Sequence, residues 1–130
     1  MNSIKVLKEK VFFKEYRLLR DICIYKLSEE ENKKIYDYIS ANYKLVYIEE
    51  WNYVIKLNQN VVLWYYPWAW NKIDIFTIQP EDIKMDNDLV RVLWFILEIS
   101  LLINKVIIVC MEWDNEELVR IDSSNVIVFD

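Results

Sequence analysis

The sequence predicts an α+β domain, a mainly antiparallel sheet with two principal helices, about 28–42 and 87–103, packed on it as a single layer pair. Three observations carry that prediction. The 130 residues are 55 % hydrophobic and 28 % charged, the balance of a chain able to bury one core. No Pro- or Ser-rich linker, repeat or low-complexity tract divides the chain, so residues 1–130 read as a single compact domain. Helical and β-rich segments follow one another in the order β-α-βββ(β)-α-βββ.

The first 20 residues fit no regular period: Ile4, Val6, Val11, Phe12, Phe13 and Tyr16 match neither a helix nor a strand. Ile22, Ile24 and Leu27, around Cys23 and Tyr25, read as a mostly buried strand. Ser28 then precedes Glu29, Glu30 and Glu31, an N-cap with a capping-box glutamate and with carboxylates at the positive end of the helix dipole. Ile35, Tyr38 and Ile39 form the apolar stripe of this helix, and Asn42 stops it. Strands follow at 45–48, at 53–57, where Tyr53, Ile55 and Leu57 alternate with Val54 and Lys56, and at 61–66. Glu49 and Glu50 fill the first turn, and Asn58-Gln59-Asn60 make a hairpin turn whose asparagines stand in for glycine. Pro67 ends the third of these strands, Ile73, Ile75 and Thr77 form a fourth, and Pro80 opens a short helical turn.

Asp86 or Asp88 caps the second helix, which is apolar almost all round, with Leu89, Val92, Trp94, Phe95, Ile99 and Leu101 on different sides. Such a helix must be covered on most sides, which makes it the central element. Arg91 and Glu98 lie seven residues apart on one of its faces; charges there are expensive unless paired or at the rim. A buried Glu98 is the best candidate for a catalytic acid. Residues 105–111 read as a buried strand, and Leu118, Val119 and Ile121 as another that pairs through Asp122-Ser123-Ser124-Asn125 with 126–129.

The chain has no glycine and no histidine. Without glycine, left-handed turns fall to Asn, Asp or Ser, and glycine-rich phosphate loops or dinucleotide fingerprints cannot be built. Without histidine, Ser-His-Asp and Cys-His catalysis and His-containing metal sites are excluded. Asp114-Asn115-Glu116-Glu117 lacks the alternating ligand spacing of a calcium loop, so no metal or cofactor is expected. Cys23 and Cys110 each sit in an apolar run, where isolated cysteine behaves as a small buried hydrophobe; free thiols and a reducing compartment are expected, a disulfide being the alternative. The first residues carry no signal-peptide apolar region, and the run 89–103, interrupted by Arg91 and Glu98, is too short to span a bilayer; a cytoplasmic protein with no membrane contact is expected.

The net charge of −5 argues against direct nucleic-acid binding. Charge is unevenly spread: residues 1–27 carry seven Lys/Arg against three Asp/Glu, while 81–130 carry four against eleven. The basic beginning (Lys5, Lys8, Lys10, Lys14, Arg17, Arg20) reads as a solvated face that complements the acidic end, against a face for nucleic acid or an acidic partner.

Two segments could contact a partner. The run from Trp64 to Trp70 holds five aromatics in seven residues, with at least two of Tyr65, Trp68 and Trp70 expected to be exposed and to contact a partner; it suits a protein hot spot or a stacking platform for a sugar or base, against closure of one end of the core. Glu112, Asp114, Glu116, Glu117 and Asp122 surround Trp113 in a loop between strands; they suit a patch that steers a basic partner, against a solvated acidic loop or a carboxylate-based catalytic or metal site.

No family motif is recognised. In type, being small, acidic, aromatic-rich and poor in Gly and His, the chain resembles bacterial immunity proteins, a resemblance of composition that covers no specific residues. It implies a non-catalytic protein-binding module, an immunity-type inhibitor that neutralises a basic partner such as a toxin nuclease. An assembly subunit that forms homo-oligomers is the alternative, followed by a carboxylate-dependent enzyme or small-ligand binder.

Overall fold

The computed structural model describes residues 5, 7–12, 19–49, 52–69, 72–111, 117–122 and 125–128. Eight strands, β1 (Arg20–Ile24), β2 (Leu45–Glu49), β3 (Asn52–Lys56), β4 (Val62–Ala69), β5 (Ile73–Ile78), β6 (Ile107–Met111), β7 (Glu117–Asp122) and β8 (Asn125–Val128), form one antiparallel sheet. Its order is β2-β3-β4-β5-β1-β6-β7-β8, so the first strand lies in the middle and β2 and β8 are the edges. Two helices, α1 (Glu29–Asn42) and α2 (Asp86–Ile103), and an N-terminal π-helical turn at Lys8–Phe12 complete the α+β architecture.

α1 begins as its sequence dictates. Ser28 Oγ accepts from the Glu31 amide at 3.1 Å, and Glu31 returns a carboxylate to the Ser28 amide at 2.9 Å, a reciprocal capping box. Ile35 and Ile39 are then completely buried, each such side chain contributing about 1.5–3 kcal/mol.

α2 begins differently from expectation. Met85 occupies the N-cap position, and Asp88, three residues on, supplies the capping carboxylate: its Oδ2 accepts from the Lys84 and Met85 amides at 2.9 and 3.2 Å. The same buried carboxylate accepts from Asn58 and Asn60 in the β3–β4 turn at 2.9 and 3.1 Å, so it ties a hairpin tip to a helix start. At the other end Asn104 takes the left-handed conformation with φ 53°, and its amide bonds back to Ser100 O.

Three further expectations need correction. Pro67 does not end β4, which runs on to Ala69; the β4–β5 register shifts between Tyr66 and Ala69, and such an irregularity is where a residue without an N–H can sit in a strand. The Asn58–Asn60 turn contains no left-handed residue; Asn58 works through its side chain, Oδ1 accepting from the amides of Asn60 and Val61 at 2.9 and 2.8 Å. Lysine, not Asn, Asp or Ser, takes two left-handed positions, Lys26 (φ 55°) and Lys72 (φ 64°), where Leu27 N bonds to Lys72 O beyond the β1–β5 ladder.

The helices lie on one face of the sheet. α1 packs over β4 and against α2, α2 reaches β7, and the N-terminal turn rests on β7. Arg20, fully buried at the start of β1, donates to the carbonyls of Val11 and Phe12 at 2.6 and 3.2 Å, so a cation closes the C-terminal end of that turn. A cavity of about 10 Å³, lined only by apolar side chains that include Leu7, Phe12, Leu89 and Ile96, remains between turn, α2 and sheet.

Candidate partner-binding surface

Alternation along each strand divides the sheet residues into two sets. The helix-side set (Ile22, Ile24, Ile55, Leu63, Phe76 and Val109 among them) forms the core. No described helix or strand covers the opposite face.

The strand register makes that second face legible as rows. One row runs Val46, Val54, Trp64, Thr77, Asp21, Cys110 and Glu117 across seven strands. The next runs Tyr66, Ile75, Cys23, Ile108, Arg120 and Ile127. The β2–β5 half is mostly apolar and aromatic, with Val46 40 % and Ile48 55 % exposed at the edge and Asn52, Lys56 and Thr77 as its polar members. Polar pairs stand further along the sheet: Thr77 Oγ1 on β5 donates to Asp21 on β1 at 2.9 Å, and Arg120 on β7 holds Glu117 in a bidentate pair at 2.7 and 3.1 Å. Cys23 and Cys110 lie among them on β1 and β6, both buried and neither in a disulfide. Hydrogen bonding with Cys110 and burial push the Cys23 thiol far up, so it stays protonated. Tyr25, beside them, is raised to about 12, first by burial and then by Cys23. Within β3, Asn52 Oδ1 is shielded from water with no donor among the described residues.

Tyr65 must be removed from the expected contact residues. It lies on the core side of β4, completely buried, its ring stacked on Phe76 at 4.5 Å between centroids and its hydroxyl donating to buried Asp74 at 2.8 Å. Alternation decides this: Tyr65 shares a face with Leu63, whereas Trp64 and Tyr66 share the uncovered one. The backbone of Trp68 belongs to β4, but its side chain, with Trp70, Glu112, Trp113, Asp114 and Glu116, lies outside the described residues. Glu117 and Asp122 open and close β7; Glu117 is half-buried against Arg120, and Asp122 is exposed.

No family model, curated protein or solved structure matches the chain. Among the described residues no group of three or more His, Cys, Asp or Glu could hold a metal ion, and no helix is long and apolar enough to cross a membrane.

One more apolar surface was missed at the sequence level. α2, expected to be covered on most sides, leaves an apolar stripe open on its outer side: Trp94 is 57 %, Leu101 65 % and Leu102 40 % exposed. Glu98 is half-buried on its outer side and has no hydrogen bond or ion pair among the described residues.

Proposed function

We propose that this chain is a protein-binding module of the immunity-inhibitor type, whose partner-facing surface is the uncovered face of the sheet. The observation that carries the reading is that face itself: eight strands layered with helices on one side, and on the other a largely apolar and aromatic surface, interrupted by Asn52, Lys56 and Thr77, beside the polar side chains of Asp21, Glu117 and Arg120. Rigid rings such as Trp64 and Tyr66 bury large area at small entropic cost, which suits the centre of an interface. The net charge of −5, concentrated in residues 81–130, favours a basic protein as partner and would accelerate its encounter. An inhibitor of a nuclease works in this way, by covering a cationic cleft.

The test is affinity capture from the native host with wild type and an Ile48→Asp, Trp64→Ser double variant. A basic protein held by the wild type, released by the variant with its fold intact, and associating more slowly as salt rises supports the reading. Equal capture by both chains, or an association rate that ignores salt, removes it.

A further inference from the structure

We infer that the outer face of α2 is the contact surface for a second copy of this chain, which packs its own α2 against it antiparallel across a two-fold axis. The inference is independent of the partner-binding reading above, because it uses the opposite layer of the molecule.

The sequence of α2 asks for a cover that the described residues do not supply on its outer side. Its apolar residues run round the whole helix, and such helices are stable in water when enclosed. Val90, Trp94, Leu97 and Leu101 follow one another at intervals of four, three and four residues, the repeat with which two helices interlock side chains. They form one ridge on the outer side, with Trp94 and Leu101 more than half exposed.

The charges beside the ridge select the occupant. Arg91 and Glu98 both stand on its α1-facing flank, seven residues and about 10 Å apart, too far to pair with each other. Neither has an ion-pair partner among the described residues. Arg91 is held in place: its guanidinium bonds the Tyr43 hydroxyl and lies 5.0 Å over that ring, which is itself fixed edge-on against Phe95. A guanidinium so fixed keeps further N–H groups for a carboxylate.

An antiparallel two-fold operation keeps a flank on its own side and reverses the direction along the helix. It sets Trp94 against Leu97 of the partner subunit and Val90 against Leu101 of the partner subunit. It also brings Arg91 beside Glu98 of the partner subunit, twice, so every charge on the flank is matched. A parallel pair would instead turn both charges towards Leu93 and Ser100 of the partner subunit, where nothing answers them. An unrelated helix would have no reason to carry the reversed pattern, and a second copy carries it by symmetry.

Sedimentation velocity on the full chain tests this with two charge reversals, Arg91→Glu and Glu98→Arg, alone and mixed one to one. The wild type should dimerise with a dissociation constant on the order of 10 µM or tighter, a single helix pair lying at the small end of stable interfaces. Each single variant faces like with like and should weaken by tenfold or more, whereas the mixture restores both ionic contacts and should dimerise as the wild type does. Glu98→Arg loses no internal contact, and Leu101→Lys, a substitution at an exposed site, should also block dimers; these two decide the matter if Arg91→Glu fails to fold. A wild type that stays monomeric at about 100 µM, single variants that dimerise unchanged, or folded single variants that the mixture does not rescue would each overturn the inference.

Discussion

Replacing Asp88 tests how the sheet and helix layers are joined. The carboxylate accepts from two backbone amides at the start of α2 and from the side chains of Asn58 and Asn60. Asp88→Ala leaves all four donors without their acceptor. A hydrogen bond to a charged group is worth about 1.5–3 kcal/mol and a helix cap about 1 kcal/mol, and water can serve the half-buried Asn60, so the loss should be roughly 3–4 kcal/mol. That is a large part of the roughly 5–15 kcal/mol that holds a domain of this kind together. Asp88→Asn is the more discriminating change. Its NH2 meets the NH2 of Asn58, which cannot turn over without giving up the amides of Asn60 and Val61 that its oxygen holds. The variant should therefore lose about 2 kcal/mol despite its matching shape. Urea unfolding followed by circular dichroism measures both. Asp88→Asn within about 0.5 kcal/mol of wild type would refute the hydrogen-bond assignment, that range being ordinary for surface substitutions. The acid limb adds a second check. Burial pushes the Asp88 carboxyl up, but the donors from Lys84, Asn60, Asn58 and Met85 outweigh it and hold the group below its ordinary value. A carboxyl lowered by folding contributes stability that is complete above its unfolded pKa, about 3.9, and is lost as pH falls through the folded value. The stability gap between wild type and Asp88→Asn should accordingly narrow below about pH 4.

Lys26→Gly and Lys72→Gly relieve left-handed lysines and should each stabilise by up to about 1 kcal/mol, read as a rise of a few degrees in the thermal midpoint. Arg20→Leu strands the buried carbonyls of Val11 and Phe12; it should cost about 2–4 kcal/mol and abolish hydrogen-exchange protection in Lys8–Phe12 before the sheet is affected. Tyr65→Phe should cost about 1–2 kcal/mol, and in the wild type, where burial and then Asp74 push the phenol far up, absorbance titration should show one tyrosine that ionises only as the fold opens at high pH. Both cysteines should resist a thiol reagent in the folded protein and react together in denaturant.

Local signals were read well where the chemistry is local. Ser28 and Glu31 define a helix start three residues apart, and the eight strands and two helices lie close to their expected places. What failed depends on partners distant in sequence. Pro67 reads as a stop until the register shift against β5 is seen to accommodate it. Tyr65 looked exposed because five aromatics in seven residues cannot all be buried, but which ring turns inward depends on the pairing of β4 with β3 and β5. Asp88 looked like a cap and proved to be also the anchor of a turn 28 residues upstream. The uncovered faces were illegible because periodicity reports how apolar a surface is and not whether the same chain covers it.

The place of β1 in the sheet has a consequence for how the chain reaches this state. β1 is made early, yet one of its neighbours, β6, comes more than eighty residues later. Strands β1 to β5 can assemble as they leave the ribosome, but β1 is then an edge whose N–H and C=O groups await Ile107–Met111. The β6–β8 meander has to form and add to that edge, and α2 has to pack against β7 as well as α1. Distant pairing of this kind slows folding, and an unpaired strand rich in Ile and Cys is a template for the wrong neighbour. Truncation after α2 should for this reason yield aggregates rather than a smaller soluble domain.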